Sequence, residues 1–230
     1  MDDLFADRSV REQSLSRGDV ESLRASAAPV HLVDCDLEAT HLARLDLARL
    51  TFERCNMRRV DFSGCNLEGT VWRSCRAAHA NFAGADLSEA VFVASDLNNC
   101  VLRRSLLLGA RFDRCKLTGA DMSEARSSGV QFSEVLLIGA KLPGYAFRKQ
   151  TLQKIDFSEA DLRNCDFRDV VFEECSLRGS NMGGSRFDGA DLRGADLGGV
   201  RLMDASLFRR ATISRAQAAQ LLSELGLQVR

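Results

Sequence analysis

The feature that most constrains this chain is a period of five. Starting at Leu32 and stepping by five, the sequence runs Leu32, Leu37, Leu42, Leu47, Phe52, Met57, Phe62, Leu67 and Trp72, and the walk continues in phase to Leu207. Of these 36 positions 33 are Leu, Phe or Met; Trp72 is another large apolar residue, and only Ala77 and Ser127 are small. Eleven of the 13 Phe lie on this phase. Two residues earlier a second phase favours Ala, Ser, Cys, Thr and Val. It holds all eight cysteines: Cys35, Cys55, Cys65, Cys75, Cys100, Cys115, Cys165 and Cys175. Random placement on one phase has odds of roughly (1/5)^7, so this is a true internal repeat.

Few backbones accept such a period. In an α-helix five residues advance about 500°, so the apolar positions would wander around the whole surface. In a long strand an odd period flips successive Leu to opposite faces. A short strand with a corner every five residues satisfies the pattern. Residues two apart on a strand face the same way, so the small and the large residue of each unit both point inward. Glycine at the last place of the unit, as in Gly64, Gly84, Gly119 and Gly189, suits a corner of unusual backbone conformation. Repeating such a unit closes a coil, and stacked coils form a β-solenoid.

The tandem units ADLSE, ADMSE, ADLRN, ADLRG and ADLGG resemble the A-(D/N)-L-x-x consensus of pentapeptide-repeat proteins. The resemblance covers residues 30–209 and implies an all-β fold, a right-handed quadrilateral β-helix of about nine coils with four five-residue sides each. With coils about 4.8 Å apart, the rod would be roughly 40 Å long. Residues 20 apart then stack, which places Phe52, Trp72, Phe92, Phe112, Phe132, Leu152 and Phe172 in one ladder.

The polar residues on the repeat have a structural explanation. Fifteen Asp or Asn directly precede the large apolar residue, among them Asp36, Asp61, Asn81, Asp121, Asp161 and Asp196. Their strict phase marks corner residues that bond nearby backbone rather than rows of catalytic carboxylates. Inward cysteines in a line do not converge as a zinc site requires, and His31, His41 and His79 fall on outward phases. The thiols are therefore expected to be small core fillers. The sequence holds no nucleophile–base pair, phosphate-binding loop, HExxH or dinucleotide fingerprint. The expectation is a protein that is not an enzyme and uses no metal or cofactor.

The two ends depart from the repeat. Residues 1–29 lack the phase; Asp19 to Ser26 is expected to form a short helix and the rest an arm or cap. Beyond Leu207, residues 210–230 contain a capping box, Ser214 with Gln217, and a stop at Gly226. Between them Ala218, Leu221, Leu222 and Leu225 fall at i, i+3, i+4 and i+7, an amphipathic helix. Such a helix could cover the last coil. Its likeness to the tails of Qnr- and MfpA-type family members implies a homodimer through those four residues.

Charge and hydropathy narrow the function classes. The 31 Lys+Arg balance 32 Asp+Glu, unlike a dedicated nucleic-acid binder. No apolar run is long enough to span a membrane, and the acidic opening MDDLFADRSVREQS predicts a cytoplasmic protein. Outward apolar residues are Val71, Val91 and Val93, Leu106 and Leu108, and Leu136 and Ile138. The most acidic stretch holds Asp156, Glu159, Asp161, Asp166, Asp169, Glu173 and Glu174. Resemblance to the Qnr and MfpA types implies DNA gyrase or topoisomerase IV as partner, engaged through an acidic, duplex-like surface and protected from poisons. Abundant outward Arg depart from such mimicry, and the alternative is an adaptor rod for another protein.

Overall fold

A computed structural model describes residues 8–24, 30–198, 206–223 and 226–228. It is a parallel β-solenoid, and its contacts divide it into two compact units, residues 1–131 and 132–230. In the first unit, β1 (Arg8–Arg11), β2 (Val30–Val33), β3 (Thr51–Glu53), β4 (Val71–Arg73), β5 (Val91–Val93) and β6 (Arg111–Asp113) stack in chain order. From β2 onward their register advances by 20 residues, as in Phe52 opposite Trp72 and Phe92 opposite Phe112. Strand β7 (Gln131–Ser133) begins at the division. In the second unit β8 (Thr151–Gln153) pairs with β9 (Val171–Glu173), and β10 (Cys175–Ser176) with β11 (Ala195–Asp196).

Residues 61–65 show why five residues make a side. Phe62 N–H donates forward to Asn81 O (2.7 Å), Gly64 N–H forward to Ala83 O (2.9 Å), and Asp61 N–H back to Thr40 O (3.0 Å). Cys65 N–H turns onto Phe62 O (3.1 Å). The remaining donor, Ser63 N–H, has no backbone partner and is taken by Asp61 Oδ1 (3.0 Å). Every N–H of the unit is thus satisfied, which a solenoid buried on one face demands. Fourteen of the 15 Asp/Asn in this place accept from the N–H two residues on. Asn56 instead gives its amide to Asp36 and Glu38.

The corner lies two residues after the large apolar one. From Asp34 to Gly189 every fifth residue has positive φ, 32 positions of which 11 are glycine, leaving 21 that carry side chains. A left-handed conformation costs roughly 1 kcal/mol for an ordinary residue, and most corner N–H groups, such as Asp34 to Glu53 O (2.9 Å) and Glu89 to Leu108 O (2.8 Å), sit in inter-coil hydrogen bonds that hold them there. Glycine is needed most where the previous corner's side chain crosses it. At Gly119 (φ 68) an added Cβ would lie 2.3 Å from Asn99 Oδ1.

The interior is packed by stacked rings. In the first unit Phe52, Trp72, Phe92 and Phe112 follow one another at 4.4, 5.2 and 5.0 Å, beside the pair Phe62–Phe82 at 5.1 Å. The buried Trp72 Nε1 donates to Thr70 Oγ1 (2.9 Å), which donates to Leu67 O (2.7 Å). In the second unit Phe147, Phe167, Phe187 and Phe208 stack at 5.0, 4.8 and 4.9 Å. Phe208 belongs to this ladder although the five-residue walk points to Leu207. The bonds agree: Leu177 N–H reaches 19 residues ahead to Asp196 O, whereas Phe187 reaches 20 ahead to Leu207 O and Leu192 to Thr212 O. The phase slips by one residue at the C-terminal end.

Both ends are closed by side chains that replace a missing coil. Residues Arg8–Arg11 continue the sheet parallel to β2, with Val10 opposite Leu32. Helix α1 (Arg17–Arg24) starts two residues before the expected Asp19, residues 25 and 26 of the expected span lie outside the described residues, and Leu15 and Val20 are buried. Arg17 Nη1 donates to the carbonyls of His41 and Ala43 (both 3.2 Å), where deeper coils receive backbone N–H groups. At the other end Gln217 Nε2 donates to Leu192 O and Ala195 O (both 2.7 Å). The same Gln217 completes the capping box of α2 (Arg215–Ser223): Ser214 N–H reaches its Oε1 (2.7 Å), and Gln217 N–H reaches Ser214 Oγ (3.1 Å).

Two substitutions test this account. Asp86→Ala leaves Ser88 N–H unpaired and should lower stability by about 1 kcal/mol, while Asp86→Asn stays near neutral. Phe167→Ala, removing the middle of a buried stack, should cost about 3–5 kcal/mol. Urea denaturation measures both.

Candidate functional site

The interior is filled among the described residues: its large side chains are almost wholly buried, Phe82, Phe92, Phe157 and Phe187 at 0 % exposure. A shallow recess between α1 and the first coil is lined by Ser14, Ser16, Asp19, Asp36, Glu38 and Thr40. Its carboxylates are already engaged. Asp19 accepts from Ser16 N–H and Oγ (2.8 and 2.6 Å), Asp36 from Glu38 N–H (3.0 Å), and Glu38 from Asn56 (3.0 Å) and Arg59.

The eight cysteines are free and buried. Their thiols donate to backbone carbonyls, Cys65 to Leu42 O (2.9 Å) and Cys165 to Leu142 O (3.2 Å). Burial pushes the thiol of Cys115 up to about 11 and that of Cys165 up to about 12, so both stay protonated and inert at neutral pH. No group of three or more His, Cys, Asp or Glu is placed to hold a metal ion among the described residues.

The candidate acidic surface does not gather on one side. Asp156, Asp161, Asp166 and Glu173 flank Phe157, Leu162, Phe167 and Phe172 respectively, and these belong to four successive sides of one coil. Several of the charges are also spent locally. Asp161 pairs with Arg163 (2.6 Å) and Asp166 with Arg168 (2.5 Å), while Asp169 lies 3.9 Å from Arg148. Glu159, Asp169 and Glu174 stand at positive-φ corners. Elsewhere Arg103 and Arg104 converge on Glu124 (2.9 and 2.8 Å), and Arg54 meets Asp34 (2.8 Å). Pairs of opposite charge thus recur on the described exterior.

The outward apolar residues are where the pattern put them. Leu108 and Leu136 are exposed, whereas Val71, Val91, Val93, Leu106 and Ile138 are half-buried. Helix α2 buries none of its residues. Ala218 and Leu221 are half-buried and Leu222 is exposed; Leu225 lies outside the described residues. Leu227, which the i, i+3, i+4, i+7 spacing did not select, is the most exposed large apolar residue among the described residues, at 54 %. Its N–H returns to Leu222 O (3.2 Å), which sets the two leucines beside each other.

Comparison with known proteins supplies the family. A model of the pentapeptide repeat region matches residues 26–99, and one of pentapeptide repeats (8 copies) matches residues 95–126, 131–169 and 171–207. The chain is a pentapeptide-repeat protein. Similar solved structures include HetL of the cyanobacterium Nostoc, a pentapeptide-repeat protein involved in heterocyst differentiation regulation. It is 21% identical with a TM-score of 0.55, over 81% of this chain and 86% of that one. A trypsin-treated form of QnrB1, a plasmid-mediated fluoroquinolone resistance protein, is 19% identical with a TM-score of 0.52, over 97% and 98%. Full-length QnrB1 is 16% identical with a TM-score of 0.50, over 96% and 98%. At these identities the likeness is one of fold. No curated protein matches the sequence significantly. No helix among the described residues is long and apolar enough to cross a membrane.

The local ion pairs predict a pH dependence. The hydrogen bond from Arg168 holds Asp166 below the usual carboxylate range. A carboxyl depressed in the folded state stabilises fully above its unfolded value, about 3.9, and that stability is lost as pH falls through the folded value. Asp166→Asn should therefore be less stable than the native chain at pH 7, with the difference vanishing in strong acid. Thermal denaturation across pH 2–7 reads this out.

Proposed function

We propose that this pentapeptide-repeat protein is a non-catalytic binding protein that docks on another protein through the outer sides of its solenoid. The observation that carries this is the filled interior: stacked rings occupy the core, and the polar groups close to it are committed to backbone or to one another. What remains for recognition is the exterior, with Leu108, Leu136 and the Val71–Val91–Val93 cluster as its apolar points. Burial of such residues is a common source of docking energy.

DNA gyrase or topoisomerase IV is the partner to test first. The fluoroquinolone-resistance protein QnrB1 shares the fold over almost the full length of both chains, and fluoroquinolones act on these enzymes. The mixed charge of the exterior supports direct protein docking in preference to imitation of an acidic duplex. An adaptor for a different protein is the second reading, and the same mixed surface favours it equally. A homodimer through Ala218, Leu221, Leu222 and Leu225 is part of the proposal. It is supported by the exposure of Leu222 on a helix that buries nothing, and of Leu227 just beyond it.

A gyrase supercoiling assay with and without a fluoroquinolone separates the readings. Rescue or inhibition of supercoiling at micromolar protein, weakened by Leu108→Glu or Leu136→Glu, is the expected result. No effect on either topoisomerase would remove the gyrase reading and leave the adaptor. For the dimer, light scattering should give twice the chain mass, reverting to one chain in Leu222→Glu.

A further inference from the structure

Cys35, Cys55 and Cys75 follow one another along one inner wall, each one coil from the next. The register around them is fixed on both sides. Leu32, Phe52 and Trp72 are successive partners, as are Val33, Glu53 and Arg73, and beyond the thiols Asp36, Asn56 and Arg76. The three thiols also make the same contacts. Each approaches the carbonyl two residues before it, Val33 O (3.4 Å), Glu53 O (3.4 Å) and Arg73 O (3.5 Å). Cys55 and Cys75 further approach Leu32 O (3.3 Å) and Phe52 O (3.4 Å). Identical contacts mean identical rotamers, so the sulfurs repeat with the backbone, about 4.8 Å apart. None of the other five cysteines has another cysteine 20 residues away in either direction.

That spacing discriminates between the chemistries open to neighbouring thiols. A disulfide needs sulfurs at about 2.05 Å, which would require the wall to close by more than 2 Å. Tetrahedral sites need four converging ligands, and a straight column cannot supply them. A linear sulfur–metal–sulfur unit with bonds near 2.3 Å spans about 4.6 Å, close to the ladder step. We propose that the Cys35–Cys55–Cys75 column is a site for one thiophilic, linearly coordinating ion, held between Cys55 and a neighbouring thiol.

Soft thiolates select ions of this class, monovalent copper among them. On binding, two sulfur–metal bonds form and two thiol protons leave to solvent. A monovalent ion leaves a net negative complex, whereas mercuric ion leaves a neutral one, and an apolar wall favours the neutral product.

The test is titration of the reduced full-length chain with Hg(II) and with Ag(I), followed by ultraviolet thiolate-to-metal absorption, bound-ion stoichiometry and circular dichroism. One ion per chain is expected, with the fold retained and Hg(II) held more tightly. Cys55→Ala should lose the site, because Cys35 and Cys75 are then two steps apart, about 9.6 Å. Alanine is the native occupant of the same phase at Ala80, Ala85 and Ala90, so this variant keeps the fold. Cys100→Ala should bind as the native chain does. Equal uptake by Cys55→Ala, uptake proportional to all eight thiols with loss of dichroism, or absence of uptake would each overturn the proposal.

Discussion

Everything in this structure depends on the hydrogen-bond ladder between coils. A five-residue side has five N–H groups; three bond the adjacent coils, one closes the turn, and the fifth needs a side chain. That single deficit explains why Asp or Asn recurs before the large apolar residue, an arrangement that would otherwise look like rows of functional carboxylates. It also explains the corners. A left-handed residue every five positions is tolerated 21 times without glycine because its N–H is held by the neighbouring coil.

The ladder makes the ends the vulnerable parts, and the two are solved alike. An arginine from α1 and a glutamine from the start of α2 each give two hydrogen bonds to the coil they cover. Arg17 takes carbonyls that an earlier coil would have used; Gln217 takes Ala195 O, which a later coil would have used, together with Leu192 O, which also receives Ala195 N–H. A solenoid closed in this way has no open sheet edge at those carbonyls, where unpaired strands would invite association. Helix α2 differs from α1 in its packing: Val20 of α1 is buried, whereas α2 buries nothing and leaves Leu222 exposed, with Leu227 exposed just beyond it.

The outside is the surface proposed for docking, and among the described residues its charge is arranged locally. Arginines reach carboxylates on their own turn, as in Arg163–Asp161 and Arg193–Asp191. Exposed pairs of this kind contribute little to stability, but they erase any long-range field of one sign. Recognition by such a surface rests on shape and apolar contact more than on electrostatic steering.

The five-residue phase determined by itself the solenoid, the inward rows, the ring ladder through Trp72 and the backbone role of Asp and Asn. These follow from local periodicity, because the same side is built over and over and each position meets its own kind one coil away. The capping box at Ser214 was legible for the same local reason. Tertiary structure alone decided what breaks the period. Phe208 replaces Leu207 in the stack because a one-residue slip is invisible where two large apolar residues adjoin. Arg8–Arg11 joins the sheet although its sequence carries no repeat, and Arg17 caps carbonyls 24 and 26 residues away. The spread of the acidic stretch over the sides of one coil, by contrast, already follows from the period, since five residues carry the chain around a corner.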